Sequence, residues 1–294
     1  MKKLNSAVAG HLVALFTITI WGTTFISTKI LLSAFSPYEI LFFRFIIGYV
    51  ALCLIQPKIL KTKNKKEELL FIIAGACGVT MYFLLENLAL TYTLASNVGI
   101  IVSISPFFTA VIAHFFLKGE RLKARFFISF AIAFFGILLI TLNGCFYLKI
   151  NPKGDLLVVL ACLFWSVYSV LMRRITSLGY HIISCTRRIF FYGLIFMIPV
   201  MTFIDFDINL THFTDPVILF NIVFLGLGAS ALCFITWNWC VGVLGAIKTS
   251  SYIYLVPVIT IITSNIILHE TITTFTLLGA LLTLTGLILS ERTS

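Results

Sequence analysis

Apolar residues fill this chain in ten runs, at about 11–32, 38–56, 69–90, 95–117, 125–144, 155–172, 186–204, 217–240, 246–268 and 273–290, with short polar stretches between them. Most are close to the roughly 20 residues that a helix needs to cross the hydrocarbon core of a bilayer. No water is present there to satisfy exposed backbone groups, so such runs are predicted to be helices. The pattern predicts an all-α membrane protein with ten transmembrane helices and loops too short to hold a separate soluble domain.

The polar and aromatic positions inside the runs repeat. Trp21 and Lys29 stand 144 positions before Trp165 and Arg173, and the same offset sets Arg44 on Arg188. Ala95 and Pro106 match Ala246 and Pro257 at 151, and Glu120 and Gly136 match Glu270 and Gly286 at 150. The expected division is a first five-helix repeat at 1–144, a connecting loop at 145–154 and a second five-helix repeat at 155–294. Five is an odd number, so the second copy inserts upside down. Inverted repeats mark secondary transporters, whose substrate site lies between the halves near the bilayer midplane.

Composition agrees. The 294 residues are 60% hydrophobic and 11% charged, with mean hydropathy +1.08, where a soluble protein carries about 25% charged residues. The net charge of +10 suggests nucleic acid at first sight, but its distribution excludes that partner. Residues 2–3, 58–66, 118–125, 173–174, 248 and 292 hold fifteen Lys and Arg, and the alternate loops hold Lys149 and Lys153. This asymmetry predicts a multi-pass protein of the cytoplasmic (bacterial inner) membrane with both termini cytoplasmic. The charged loop 56–68 reads as a topological anchor, with anionic lipid or a partner as the alternative. Lys2 and Lys3 precede an apolar run too long for a signal peptide, and that run aligns with an internal span, so it is expected to be a retained first helix. The seven cysteines show no CxxC or zinc spacing and read as small apolar filler.

Trp21-Gly22-Thr23-Thr24-Phe25 followed by Lys29, then Arg44-Phe45, then Pro106 to Glu120-Arg121 and Gly136, resembles the EamA-type transporters of the drug/metabolite transporter superfamily. The second half repeats the set more loosely through Trp165, Arg188, Pro257, Glu270 and Gly286. Two departures stand out. Trp165-Ser166-Val167-Tyr168 lacks the glycine, and His269-Glu270-Thr271 replaces Glu-Arg. The resemblance implies two inverted five-helix repeats and alternating access to a central cavity. It also implies a substrate among amino acids, other small metabolites or drugs, often exported.

Thr17, Trp21, Thr24 and Thr28 share one face of the first helix, and Trp165, Tyr168, Ser169 and Met172 share the matching face of the sixth. Such a face lines a pathway or bonds a neighbouring helix. Trp21 and Trp165 are expected to face each other across the pseudo-two-fold axis, with Trp237 and Tyr254 as further wall residues. Pro106 and Pro257 stand mid-span and are expected to kink their helices, freeing carbonyls near Val102 and Ile253. Ser96, Gly99, Ser103 and Ala110 form a small-residue stripe beside Pro106, and Ser250, Tyr254 and Ser264 a more polar one beside Pro257.

Glu86 is the outlier. A carboxylate at the bilayer centre costs roughly 2.5–3.5 kcal/mol on insertion scales. Its repeat mate at offset 151 is Trp237, so the scaffold does not require the charge. Two readings remain open: a pair with Lys29, which lies at similar depth, or a group that contacts a cationic substrate or carries a proton. Arg44 and Arg188 read as structural, and Glu120 and Glu270 as favouring helix N-termini through the dipole. Asn87 and Asn238 read as ties between helices, and His114 as a satisfied helix histidine.

The sequence carries no HExxH, Walker A or GxSxG motif and no acidic metal cluster. No cofactor, metal or enzymatic activity is expected. The expected function is secondary active transport, as an exporter, of a small organic metabolite such as an amino acid or of drug-like compounds, with proton coupling through Glu86 as one route. The rivals are a lipid-linked or amphipathic substrate entering from the bilayer, and a membrane-embedded enzyme. The enzyme would need several ionisable groups at one depth, and the sequence offers Glu86 with Lys29.

Overall fold

The computed structural model describes residues 2–93, 95–119, 124–142, 151–202, 210–268 and 274–291. Every regular element among them is helical. The first half holds α1 (Lys2–Leu31), α2 (Pro37–Ile55), α3 (Lys65–Tyr92), α4 (Ala95–Val102), α5 (Ser105–Phe116) and α6 (Ala124–Leu142). The second holds α7 (Pro152–Ser177), α8 (Ile182–Thr202), α9 (Pro216–Leu244), α10 (Ala246–Ser251), α11 (Val256–Leu268) and α12 (Thr274–Glu291). Short 3₁₀ turns at Leu210–Thr214 and Tyr252–Leu255 precede α9 and α11. Seven described segments are long and apolar enough to cross a membrane, and shorter apolar helices occupy Ala124–Leu139 and Leu277–Ser290.

Helix starts follow local chemistry. Ser36, Asn151 and Asp215 each accept a hydrogen bond from a first-turn backbone N–H, and a proline follows each at the start of α2, α7 and α9. Glu39 completes a capping box by accepting from the Ser36 N–H at 2.6 Å. At the end of α9, Gly245 takes φ 93°, a left-handed turn that lets the chain pass directly into α10.

The halves interleave. The main packing partners are α6 with α12, α3 with α7, α1 with α9, and α2 with α9. A β-carbon on Gly136 of α6 would lie 2.6 Å from the Gly279 carbonyl oxygen of α12, and one on Gly286 would lie 2.6 Å from the Ala133 β-carbon. The two glycines are 150 positions apart, so each helix offers the other the same groove. Large apolar side chains such as Leu54, Phe115, Ile198, Phe220 and Leu281 are exposed on the outside, where a bilayer covers them. The six described cysteines are free and mostly buried, and Cys145 lies outside the described residues.

Packing corrects one part of the repeat. A β-carbon on Gly75 would lie 2.7 Å from the Ile189 carbonyl oxygen, and one on Gly226 would lie 3.2 Å from that of Arg44. Gly48 abuts Gly226 and Ser230 on α9, as Gly193 abuts Val79 on α3. Gly75 and Gly226 keep the offset of 151, whereas Arg44 and Ile189, and Gly48 and Gly193, stand at 145, one more than Trp21 to Trp165. Ile189, not Arg188, therefore occupies the place of Arg44.

Hydropathy gave no sign of a second feature. α3 and α9 each contain a π-helical stretch, Ala76–Met81 and Phe224–Leu232. The two overlap at the repeat offset of 151. A π turn holds an extra residue and rotates everything beyond it, and here it precedes Glu86 in α3 and Trp237 in α9.

Candidate functional site

Where the halves interleave, they line a partly open cavity of about 40 Å³, room for a few water molecules. From the first half its walls are Trp21, Thr24 and Phe25 of α1, Arg44 of α2, Tyr82, Phe83 and Glu86 of α3, and Val102 of α4. Trp165 of α7, Ile253 and Val256 complete it from the second. Of the sequence candidates, Trp21, Thr24, Glu86 and Trp165 meet here.

Trp21 and Trp165 stand edge to face with ring centroids 5.3 Å apart. Trp237 backs Trp21 at 4.9 Å, and Tyr82 and Tyr168 lie 4.9 and 5.1 Å from Trp165. The Trp21 Nε1–H donates to the Ala229 carbonyl at 2.9 Å. The indole N–H groups of Trp165 and Trp237 are buried without a partner.

Both prolines interrupt their helices. Ahead of Pro106, Ser103 and Ile104 donate to carbonyls three residues back, at 3.0 and 2.9 Å, and α4 ends. Ahead of Pro257 stands the 3₁₀ turn Tyr252–Leu255. Val102 and Ile253, 151 positions apart, both reach the cavity from these breaks. The Ile253 carbonyl is not free as expected, because it accepts the Val256 N–H within the tighter turn.

Two charged side chains meet at the cavity, one from α2 and one from α3. Arg44 and Glu86 are 1% and 2% exposed and line the cavity together. Arg44 Nε donates to Ser230 Oγ at 3.0 Å, and its guanidinium carbon lies 4.2 Å from the centre of the Phe83 ring. Arg44 Nη1 and Glu86 Oε2 are buried without hydrogen-bond partners. Lys29 does not pair with Glu86. It is exposed, and its Nζ donates to the Leu90 carbonyl at 2.8 Å, in the last turn of α3. The C-terminal carbonyls of a helix attract a cation, while Glu86 points into the bundle.

The remaining candidates serve packing or lie apart from the cavity. Ser103 bonds the Gly99 carbonyl at 3.2 Å and Ser169 that of Trp165 at 3.0 Å. Tyr168 donates to Asn238 Oδ1 at 2.6 Å, and Asn238 Nδ2 to Thr186 Oγ1 at 3.1 Å, tying α7, α9 and α8 together. Asn87 ties α3 to the Pro37 carbonyl at 3.0 Å. The hydroxyls of Thr28 and Tyr254 are buried without partners, away from the cavity walls. Glu120 and Glu270 lie outside the described residues. Sequence reasoning missed Arg44, Tyr82 and Phe83 as cavity residues. The signal that could have found Arg44 was its burial potential in an apolar run, the same argument that singled out Glu86.

One end of the bundle is fastened by charge. Arg188 donates to Glu68 Oε1 from Nε at 2.8 Å and lies 2.7 Å from it through Nη2, while its Nη1 donates to the Leu60 carbonyl at 2.6 Å. Arg187 donates to the carbonyls of Gln56 and Lys58, and Tyr192 donates to Glu68.

Residues 8–142 and 152–292 each match the EamA-like transporter family. The chain belongs to the EamA-like transporter family. An "Uncharacterized transporter" of Archaeoglobus fulgidus is 29% identical over 95% of this chain and 96% of its own. The transporter YyaM of Bacillus subtilis is 29% identical over 98% of this chain and 94% of its own. A "Probable terminal-alkyne amino-acid exporter" of Streptantibioticus cattleyicolor is 24% identical over 99% and 95%. A crystal structure of a protein with 18% identity shares the fold at a TM-score of 0.75 over 96% of this chain and 97% of that one. The EamA-like family is thus represented once in each half, and the cavity lies between the copies.

Proposed function

We propose that this EamA-like protein is a secondary active transporter that exports a small organic solute, such as an amino acid, across the cytoplasmic membrane by alternating access. The observation that carries the reading is the central cavity shared by both halves, with Trp21 and Trp165 among its walls and two ionisable groups lining it. In this reading ten helices form two inverted repeats, 1–144 and 155–294, that rock about the cavity. Both termini face the cytoplasm, following the distribution of Lys and Arg.

The described helix breaks at Pro106 and Pro257 give each half a hinge next to the site. A solute gradient, or protons carried by Glu86, would drive the cycle through different affinities in the two states. The amino-acid example rests on the name of the Streptantibioticus cattleyicolor relative. The test is efflux from proteoliposomes loaded with a bacterial metabolite extract, with and without the protein. Protein-dependent loss of specific solutes, reduced in Trp165→Ala, supports the reading. Identical contents in both vesicle sets would sink it.

A further inference from the structure

We infer that Lys29 and Arg173 are the two gate residues of the transport cycle, one at each end of the bundle, and that each holds its end closed by bonding the last turn of the helix across from it. This rests on the transport reading and adds which contact breaks when each side opens.

The first argument is that the two contacts are copies of each other. Lys29 is the mate of Arg173 at offset 144, and both reach the same stretch of their partner helix. Lys29 Nζ donates to the Leu90 carbonyl at 2.8 Å. Arg173 Nη1 donates to the Gly242 carbonyl at 2.6 Å and lies 3.4 Å from that of Val241, which is the mate of Leu90 at offset 151. These acceptors stand in the last turns of α3, which ends at Tyr92, and α9, which ends at Leu244. The helix dipole attracts a cation there. One copy uses lysine and the other arginine, so the shared requirement is positive charge rather than one side-chain shape.

The second argument is placement. Asn151, directly before α7, donates to the Tyr92 carbonyl at 2.8 Å, so α7 begins beside the end of α3 that Lys29 binds. Arg173 stands 22 residues further along, about 33 Å away at the rise of an α-helix. The ties therefore lie at opposite ends, yet both join the same two units. α1 packs on α9, and α3 packs on α7. The Lys29 tie links α1 to α3, and the Arg173 tie links α7 to α9. The cavity lies between these units, with Thr24 of α1 and Glu86 of α3 among its walls. Lys29 is five residues beyond Thr24 and Leu90 four beyond Glu86, so this tie closes the gap about one turn past the cavity. At the other end Arg173 is eight residues beyond Trp165 and Val241 four beyond Trp237. To admit a solute the units must part at one end and stay joined at the other, so the cycle breaks one tie at a time.

The test is labelling of Thr24→Cys, on a cavity wall that is 6% exposed, in the full chain with its seven cysteines replaced by alanine. A membrane-impermeant methanethiosulfonate is added to whole cells or to inverted membrane vesicles, so that it reaches the cavity from one side at a time. Lys29→Met should speed labelling from one side only, the outer one in the orientation proposed above. Arg173→Met should speed it from the opposite side only. Each rise should be about 1.7- to 5-fold, the contribution of a cation at a helix C-terminus converted to a population. Lys29→Arg and Arg173→Lys keep the charge and should label at the wild-type rate. Lys29 is exposed, so its variants decide the matter even where Arg173→Met does not fold.

A methionine variant that speeds labelling from both sides has loosened the bundle as a whole, and overturns the assignment. So do unchanged rates in the methionine variants, or charge-keeping variants that label as fast as the methionine ones. Labelling needs no solute, whereas the metabolite-loaded vesicles above report transport. Flux without sided labelling would remove the gates and keep the transporter, and sided labelling without flux would do the reverse.

Discussion

Trp21 of the first half and Trp165 of the second cross the centre of the bundle edge to face, 5.3 Å apart and inclined at 82°. This is a favoured aromatic geometry, and it joins the two copies where the cavity lies. Trp165→Ala should cost about 3–5 kcal/mol, as large-to-small core changes at aromatic positions do. Trp165→Phe should keep the fold and lose part of the wall. Melting temperature in detergent measures the first effect, and solute affinity in vesicles the second. An unchanged melting temperature in Trp165→Ala would show that the indole is not a packing element.

Orientation can be settled with two single cysteines, placed in a background where native cysteines do not react. Ser33 is exposed between α1 and α2, and Lys63 is exposed between α2 and α3. A membrane-impermeant maleimide added to whole cells should label Ser33→Cys and spare Lys63→Cys until the membrane is opened. The reverse pattern would invert the topology.

Much of this was legible in the chain itself. Trp21 and Trp165 sit at a fixed offset and both line the cavity; Pro106 and Pro257 sit at another, and each follows an interruption of its helix. Arg44 could be singled out only by its place in an apolar run; its contacts were not legible. Its hydrogen-bond partner Ser230 is 186 positions away in the other half, and its ring partner Phe83 is on a third helix. No local spacing announces either contact. The π-helical stretches were also hidden, because a twenty-residue apolar run reads the same whether or not one turn holds an extra residue. Glu86 lines the cavity with Arg44, and Lys29 bonds the Leu90 carbonyl instead, so the Lys29 pair, one of the two open readings, is not the one formed.

The α6–α12 contact depends on glycine at two equivalent places. A methyl group on Gly136 would approach the backbone of α12 at 2.6 Å, and one on Gly286 the backbone nitrogen of Ala133 at 2.7 Å. Backbone cannot step aside as a flexible side chain can. Gly136→Ala and Gly286→Ala should each destabilise by about 1–3 kcal/mol, the usual cost of overpacking, and the double variant should be worse than either. Thermal unfolding and the monodisperse fraction on size exclusion measure this. Wild-type behaviour in both single variants would mean that the helices separate more easily than their packing implies.

The fastening at the 56–68 end yields the last prediction. Glu68 and Arg188 are partly buried, 19% and 23% exposed, and with solvent still reaching both, the pair is taken at the scale of a surface ion pair, about 0.2–1 kcal/mol. That is too little to hold the fold but enough to bias the rocking equilibrium proposed above. Thr62 and Tyr192 also donate to Glu68, so the carboxylate joins the loop, the start of α3 and α8. Cys53 lines the groove beside Arg187, Arg188 and Leu60 and is partly accessible, whereas the other described cysteines are buried. With Cys145 replaced by serine, Glu68→Gln should speed maleimide labelling of Cys53 by about 1.4- to 5-fold, which is the stated energy converted to a population. The exchanged pair Glu68→Arg with Arg188→Glu should bring the rate back toward wild type. If Glu68→Gln labels at the wild-type rate, the contact is ornamental to the cycle. If it labels faster and the exchanged pair does not slow it, the hydroxyl donors of Thr62 and Tyr192, not the ion pair, hold this end closed.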